Sequence, residues 1–219
     1  MPARPKPRAA TLTAAPATAR WSWVLPALKR LTLAILLMAA VFVALNWPYF
    51  QRLGAYYLNP PSAEDLEVQL PQAGTRVEPN RLRIKALGIE APIVYTEASD
   101  EDGFQVSLRT GVVHYPGTAL PGQAGNAYLF GHSSDYLTAP GDYKTVFALL
   151  PQAQVGDMIE ISDPDGRLFV YSVTETAVIS PDDFSRLSQD RTRRQLTLQT
   201  SYPIGTALKR FIVVAEIVD

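Results

Sequence analysis

The chain has 219 residues, 20 of them basic and 21 acidic, and it has no cysteine. At about 150 residues per domain that is one domain with a substantial appendage, and 47% apolar against 19% charged residues excludes a wholly disordered protein. Without cysteine there is no disulfide scaffold, no thiolate metal site and no thiol nucleophile.

The net charge of −1 hides an asymmetry. Met1–Ala63 carries seven basic residues and no acidic one, so the remaining 156 residues hold 13 basic and 21 acidic groups, a net of −8. The basic part is short and adjoins an apolar run, which is not the charge pattern of a nucleic-acid-binding protein. Residues 1–22, rich in Pro, Ala, Thr and Arg, are expected to form a disordered tail because they cannot bury a core. Leu31 to Trp47 is a run of 17 uncharged residues. As a helix it rises about 25 Å, the short end for crossing a hydrocarbon core. Trp47 and Tyr49 extend it into the interfacial zone that aromatic side chains favour. The run continues past Ala39-Ala40, longer than the apolar part of a cleaved signal peptide. Residues 23–50 are therefore read as an uncleaved signal anchor in the lipid bilayer, with residues 31–47 as its span. Six basic residues precede the span and Arg52 alone closely follows it, which places the N-terminus in the cytoplasm and the acidic part outside.

Residues 51–77 read as a stalk, broken by Asn59-Pro60-Pro61-Ser62 and Pro71-Gln72-Ala73-Gly74. A folded domain is expected over 78–219. Its pattern is mainly β: short runs rich in β-branched and aromatic residues occur at 81–84, 91–95, 112–114, 127–130, 158–161, 168–173, 195–200 and 211–218. Pro and Gly clusters separate them. One or two helical turns are expected at Tyr143–Leu150 and again at Pro181–Leu187, the latter opened by Ser180-Pro181-Asp182-Asp183. Eight strands in so short a domain predict a closed or sandwiched β-structure.

Three polar residues stand where strand patterns meet loops. His132 follows Asn126–Gly131, Ser201 follows Leu196–Thr200, and Arg210 opens Phe211–Ala215. An imidazole, a hydroxyl and a guanidinium at one mouth of a barrel could serve as acid/base, nucleophile and oxyanion stabiliser. Spacing alone leaves the ordinary alternative of surface residues open. Gly131-His132-Ser133-Ser134-Asp135 lacks the last glycine of a nucleophile elbow, and no long helix follows it, which argues against an α/β-hydrolase. Two His and no Cys do not make a zinc site.

Several stretches together resemble the sortases, membrane-anchored cysteine transpeptidases of bacterial cell surfaces. These are Gly111-Val112-Val113-His114-Tyr115-Pro116-Gly117-Thr118 with Gly131-His132-Ser133; Leu196-Thr197-Leu198-Gln199-Thr200-Ser201; and Tyr202-Pro203-Ile204-Gly205-Thr206 with Lys209-Arg210. The resemblance covers about residues 81–219. It implies an eight-stranded β-barrel with short helices, preceded by one N-terminal transmembrane helix. It implies a sortase-type transpeptidase or peptidase acting on the sorting-signal peptide of a surface protein, at a Thr–Gly bond, with an amine as acceptor. His132 is implied as acid/base and Arg210 as the group that positions substrate and stabilises the oxyanion. Thr200 and Tyr202, flanking the nucleophile position, are substrate-binding candidates. His114 lies in a matching stretch but is read as structural. No cofactor is expected, although acidic loops hold calcium in some sortases, and Glu97–Asp102 and Asp163-Pro164-Asp165 could offer oxygens.

Ser201 departs from the family, whose nucleophile is cysteine. A thiol of pKa about 8.5 can form a thiolate–imidazolium pair, whereas an alcohol needs His132 as a true general base. Asp135, three residues after His132, is a possible orienting carboxylate and more often an ordinary loop residue. Three readings of Ser201 stay open: a working serine nucleophile, a catalytically inactive peptide-binding protein, or a serine introduced in place of the cysteine of an active enzyme.

Overall fold

The structure, a computed structural model, describes residues 23–62, 66, 70, 76–135 and 139–218. The tail expected over 1–22 lies outside the described residues, as does much of 63–75. The chain divides into two compact units, one ending at Ala44 and one beginning at Leu45.

The first unit contains all but the last residue of helix α1, Val24–Leu45. Its 22 residues rise about 33 Å, and among the described residues it is the one helix long and apolar enough to cross a membrane. In the second unit, helix α2 (Trp47–Leu58) begins with Pro48 in its first turn, where a missing N–H costs nothing, and stops before Pro60. The sequence pattern divides these residues between the span's flank and the stalk. They instead form one helix of the barrel unit: Tyr56 packs on the barrel core, and Tyr57 donates its hydroxyl to Gln152 Oε1 at 3.1 Å.

Eight strands close into a barrel: β1 Arg81–Ile84, β2 Ile89–Tyr95, β3 Val112–His114, β4 Gly125–Phe130, β5 Met158–Ser162, β6 Leu168–Ile179, β7 Arg194–Tyr202 and β8 Lys209–Ile217. Their order is β1-β2-β3-β4-β7-β8-β6-β5, and β5 returns to β1. Two neighbouring pairs are parallel, β2 with β3 and β4 with β7, and each needs a crossover. The first crossover contains helix α3, Glu101–Leu108. Alternation fills the interior. Leu82 and Ile84, Ala127 and Leu129, Leu196 and Leu198, and Phe211, Val213 and Ala215 all point inward. Phe147 and Leu150 pack into the same core from the β4–β5 connection.

The expected strands are present, several of them extended at one or both ends. β2 starts at Ile89, and β6 runs on to Ile179 through a register shift between Val173 and Glu175. The helical turns expected at 143–150 and 181–187 are a series of turns with short 3-10 segments at Leu150–Gln152 and Ser185–Leu187. Helix α3 forms where the sequence suggests an acidic loop. Asp100 Oδ1 accepts from Gly103 N at 2.8 Å as the N-cap, and Glu101 and Asp102 occupy the first turn.

That arrangement bears on calcium. Asp100 is occupied as a cap, and Glu101 Oε1 accepts from Gln105 Nε2 at 2.6 Å. In the β5–β6 turn, Asp163 accepts from Asp165 N and Arg167 N and pairs with Arg167 Nε at 2.7 Å. Among the described residues no three His, Asp or Glu side chains gather as a metal cluster.

Candidate active site

Three strand ends meet at one end of the barrel. On β7 the inward residues are Leu196 and Leu198, so Gln199 and Ser201 face outward. On β8 the inward residues are Phe211 and Val213, so Arg210 faces outward directly opposite Ser201 in the antiparallel register. On β4, Ala127 and Leu129 point inward and Phe130 outward, and Phe130 is level with Gln199 on β7. Pairing continues past the end of β4, where Gly131 N donates to Gln199 O at 3.1 Å. His132 follows directly, beyond the end of β4, and it lines the same groove as the facing pair Ser201 and Arg210.

The strand end that carries His132 is held firmly. Thr200 Oγ1 donates to Gly131 O at 2.8 Å, and Phe147 N donates to His132 O at 2.9 Å. A Cβ on Gly131 would sit 2.8 Å from Phe147 Cδ2 and 3.0 Å from Val146 Cγ1. Gly131→Ala is expected to destabilise the protein by about 1–3 kcal/mol through overpacking and to displace His132. Denaturant midpoints of the two chains check this, and equal midpoints contradict it.

All three side chains line one groove of about 340 Å³. One wall is aromatic. Phe104 of α3, Tyr115, Tyr128 and Phe130 form ring contacts with centroids 5.1–6.1 Å apart. The other wall is the β6–β7 connection, through Pro181, Asp183, Phe184 and Leu187. Tyr128 Oη donates to Gln199 Oε1 at 2.6 Å, which fixes an amide two residues before Ser201 on the same face. Burial raises the Tyr128 phenol pKa, opposed by nearby Arg210. Arg210 Nη1 donates to Ala207 O and Lys209 O, each at 3.2 Å. A separate cleft of about 510 Å³ lies beside Asn126 and Thr197. It is lined by paired charges such as Arg186–Glu175 and by none of the three candidates.

Burial lowers the His132 pKa, and the charges of Asp135 and Glu101 push back against it. The imidazole is thus biased toward its neutral form, the form that can accept a proton. Asp135 Oδ2 lies 3.9 Å from His132 Nε2, beyond hydrogen-bond range. It is an electrostatic neighbour of the imidazole and does not orient it through a hydrogen bond.

Of the remaining candidates, Thr200 lines the same groove, buried at 2% exposure and with its hydroxyl donated to Gly131 O. Tyr202 lies outside the groove lining, its ring 5.9 Å from Phe211 and packed on the core. His114 is buried, and its Nε2 donates to Ala119 O at 2.9 Å, a structural role. Sequence reasoning missed Gln199, Tyr128 and Phe104. Gln199 and Tyr128 show only as strand residues until the register places them on the groove face, and Phe104 gives no signal until helix α3 forms.

His114 and His132 both have pKa values lowered by burial. The folded state then binds fewer protons than the unfolded chain, so acid favours unfolding. This contribution is complete above the ordinary imidazole value of about 6.5 and is lost as pH falls toward the folded values. Thermal melts at about pH 7.5 and about pH 5.5 should give the lower midpoint in acid; equal midpoints contradict the buried-neutral assignment.

Comparison with known proteins adds an independent finding. The sortase domain family matches residues 82–218. Sortase D of Bacillus subtilis (strain 168) is 30% identical over 135 residues, spanning 60% of this chain and 60% of that protein. The solved sortase D5 transpeptidase of Clostridium perfringens is 28% identical, with a TM-score of 0.52 over 64% of this chain and 78% of its own. A lid mutant of sortase A from Corynebacterium diphtheriae is 27% identical, with a TM-score of 0.54 over 68% and 74% respectively.

Proposed function

The chain belongs to the sortase family, and from that premise we propose that it is a membrane-anchored, sortase-type transpeptidase acting on sorting-signal peptides of surface proteins. The observation that supports the reading is that His132, Ser201 and Arg210 line one groove, with Ser201 and Arg210 opposite each other across β7 and β8. In the proposed cycle, Ser201 Oγ attacks the carbonyl of the Thr–Gly bond while His132 takes the hydroxyl proton. Arg210 stabilises the oxyanion, and His132 returns the proton to the leaving amine as the C–N bond breaks. The resulting ester is transferred to an acceptor amine, or to water. The bias of His132 toward neutrality suits the base role that an alcohol demands. Turnover through Ser201 is slow, because an alcohol cannot form the thiolate–imidazolium pair and its shorter C–O bond leaves the nucleophile short of its target.

Helix α1 supplies the anchor. The excess of basic residues before it favours a cytoplasmic N-terminus and an extracellular barrel. One observation favours a second reading, an inactive peptide receptor: Asp135 stands 3.9 Å from His132, too far to complete a hydrogen-bonded triad with it. Incubating the detergent-solubilised chain with sorting-type peptides and measuring its intact mass separates the two. The enzyme reading expects an acyl adduct that His132→Ala abolishes. Tight binding with no adduct, unaffected by His132→Ala, would establish the receptor instead.

A further inference from the structure

We infer that Gln189 is the clasp that sets the position of the β6–β7 groove wall, making it a positioning residue for peptide binding; the peptide part of this inference rests on the function proposed above. The wall has little structure of its own. It is a connection with one short 3-10 turn at Ser185–Leu187, and Phe184 is 67% exposed. Yet Pro181, Asp183, Phe184 and Leu187 form one side of the groove. Something must hold them there.

The Gln189 side chain does so with its whole hydrogen-bonding capacity. Its Oε1 accepts from Ala119 N and Asn126 N, both at 3.1 Å. Its Nε2 donates to Asn126 O and Leu187 O, both at 3.0 Å. All four partners are backbone groups with fixed roles, so the amide has one possible orientation. One side chain joins the β3–β4 connection, the start of β4 and the wall itself.

The contact with Asn126 imitates a β-ladder. β3 pairs with β4 at Phe130 and Leu129, and β7 pairs with Asn126 through Gln195 on the other edge. At Asn126 the Gln189 amide bonds both the N–H and the C=O, as a neighbouring strand would. Gly125 leaves room for it: a Cβ there would lie 2.7 Å from Gln189 Oε1, at a φ of +125° that disfavours other residues. Asn126 adds a second tie, with Nδ2 donating to Arg186 O at 2.7 Å while Oδ1 accepts from Thr197 Oγ1 at 3.0 Å.

A wall tied at Arg186 and Leu187 is in place when a peptide arrives, so binding does not carry the cost of ordering it. Gln189→Glu keeps the shape but loses both donors, setting a carboxylate against two carbonyl oxygens. Gln189→Leu removes all four bonds and strands buried backbone groups.

The test uses the full chain in detergent micelles, with native Gln189, Gln189→Glu and Gln189→Leu each placed in the Ser201→Cys background. Hydrogen exchange read by mass spectrometry should speed up about tenfold or more at residues 182–188 in Gln189→Glu, with β7 and β8 unchanged. KM for a sorting-type peptide should rise about tenfold while kcat stays within about threefold. Unchanged exchange in the wall overturns the clasp, and so does a fall in kcat at unchanged KM. Should Gln189→Leu not fold, Gln189→Glu carries the test. If the Ser201→Cys chain with native Gln189 turns over no peptide, the proposed function is what fails. The clasp is then decided by exchange alone, on the same criterion.

Discussion

Ser201→Cys is expected to raise the rate of acyl-adduct formation with a sorting-type peptide by about two orders of magnitude or more. A thiol of pKa about 8.5 is partly ionised near neutrality, whereas an alcohol must lose its proton in the transition state to a base held within hydrogen-bond reach. The setting accentuates the contrast. Burial biases His132 toward neutrality, and Asp135 stays at 3.9 Å, beyond hydrogen-bond range of the imidazole. A thiolate at 201 would add a negative charge beside the imidazole and oppose that bias, forming an ion pair the present side chain cannot make. The sulfur also reaches further along the same rotamer. Rates of adduct formation read by intact mass, in both chains and with the same peptide, decide the matter. Equal rates would mean that the groove does not present its reactive groups to the peptide, whatever residue stands at 201.

Arg210→Ala in the Ser201→Cys background is expected to lower kcat by about two to three orders of magnitude, the usual cost of removing an oxyanion donor. Arg210 pairs with Ser201 across β7 and β8, and both residues line the same groove. Nη1 rests on Ala207 O and Lys209 O, which holds the head group over the loop at the groove's end. Arg210→Lys keeps the charge but loses the planar fork and should recover only part of the rate. Steady-state kinetics on the three chains check this. A loss confined to KM would assign Arg210 to substrate binding alone.

The barrel strands are legible because a half-buried strand alternates. Leu196, Leu198, Phe211, Val213 and Ala215 mark the inward face by their spacing alone. The same alternation puts Ser201 and Arg210 on one face, but their pairing depends on the turn between β7 and β8, which the spacing only suggests. Helix α2 is hidden because Asn59-Pro60-Pro61 dominates its neighbourhood and suggests a stalk, while the contact that stabilises it, Tyr56 on the barrel core, is distant in sequence. Helix α3 has a legible start in Asp100 followed by Glu101 and Asp102, yet an acidic run is equally the mark of a solvated loop. Gln189 and Asn126 lie 63 residues apart. No local pattern reports a clasp between them.

The proposed chemistry depends on His132 and Ser201 standing side by side on neighbouring strand ends. The absence of cysteine allows that to be measured directly, by making His132→Cys and Ser201→Cys together and oxidising the chain mildly. A disulfide forms only where the two Cα atoms come within about 4.4–6.8 Å, the spacing of residues side by side on adjacent strands. The predicted result is an intramolecular bond, seen as a mass two hydrogens lighter and a mapped 132–201 crosslink. Two free thiols, or crosslinks only between chains, would contradict the convergence and the function built on it.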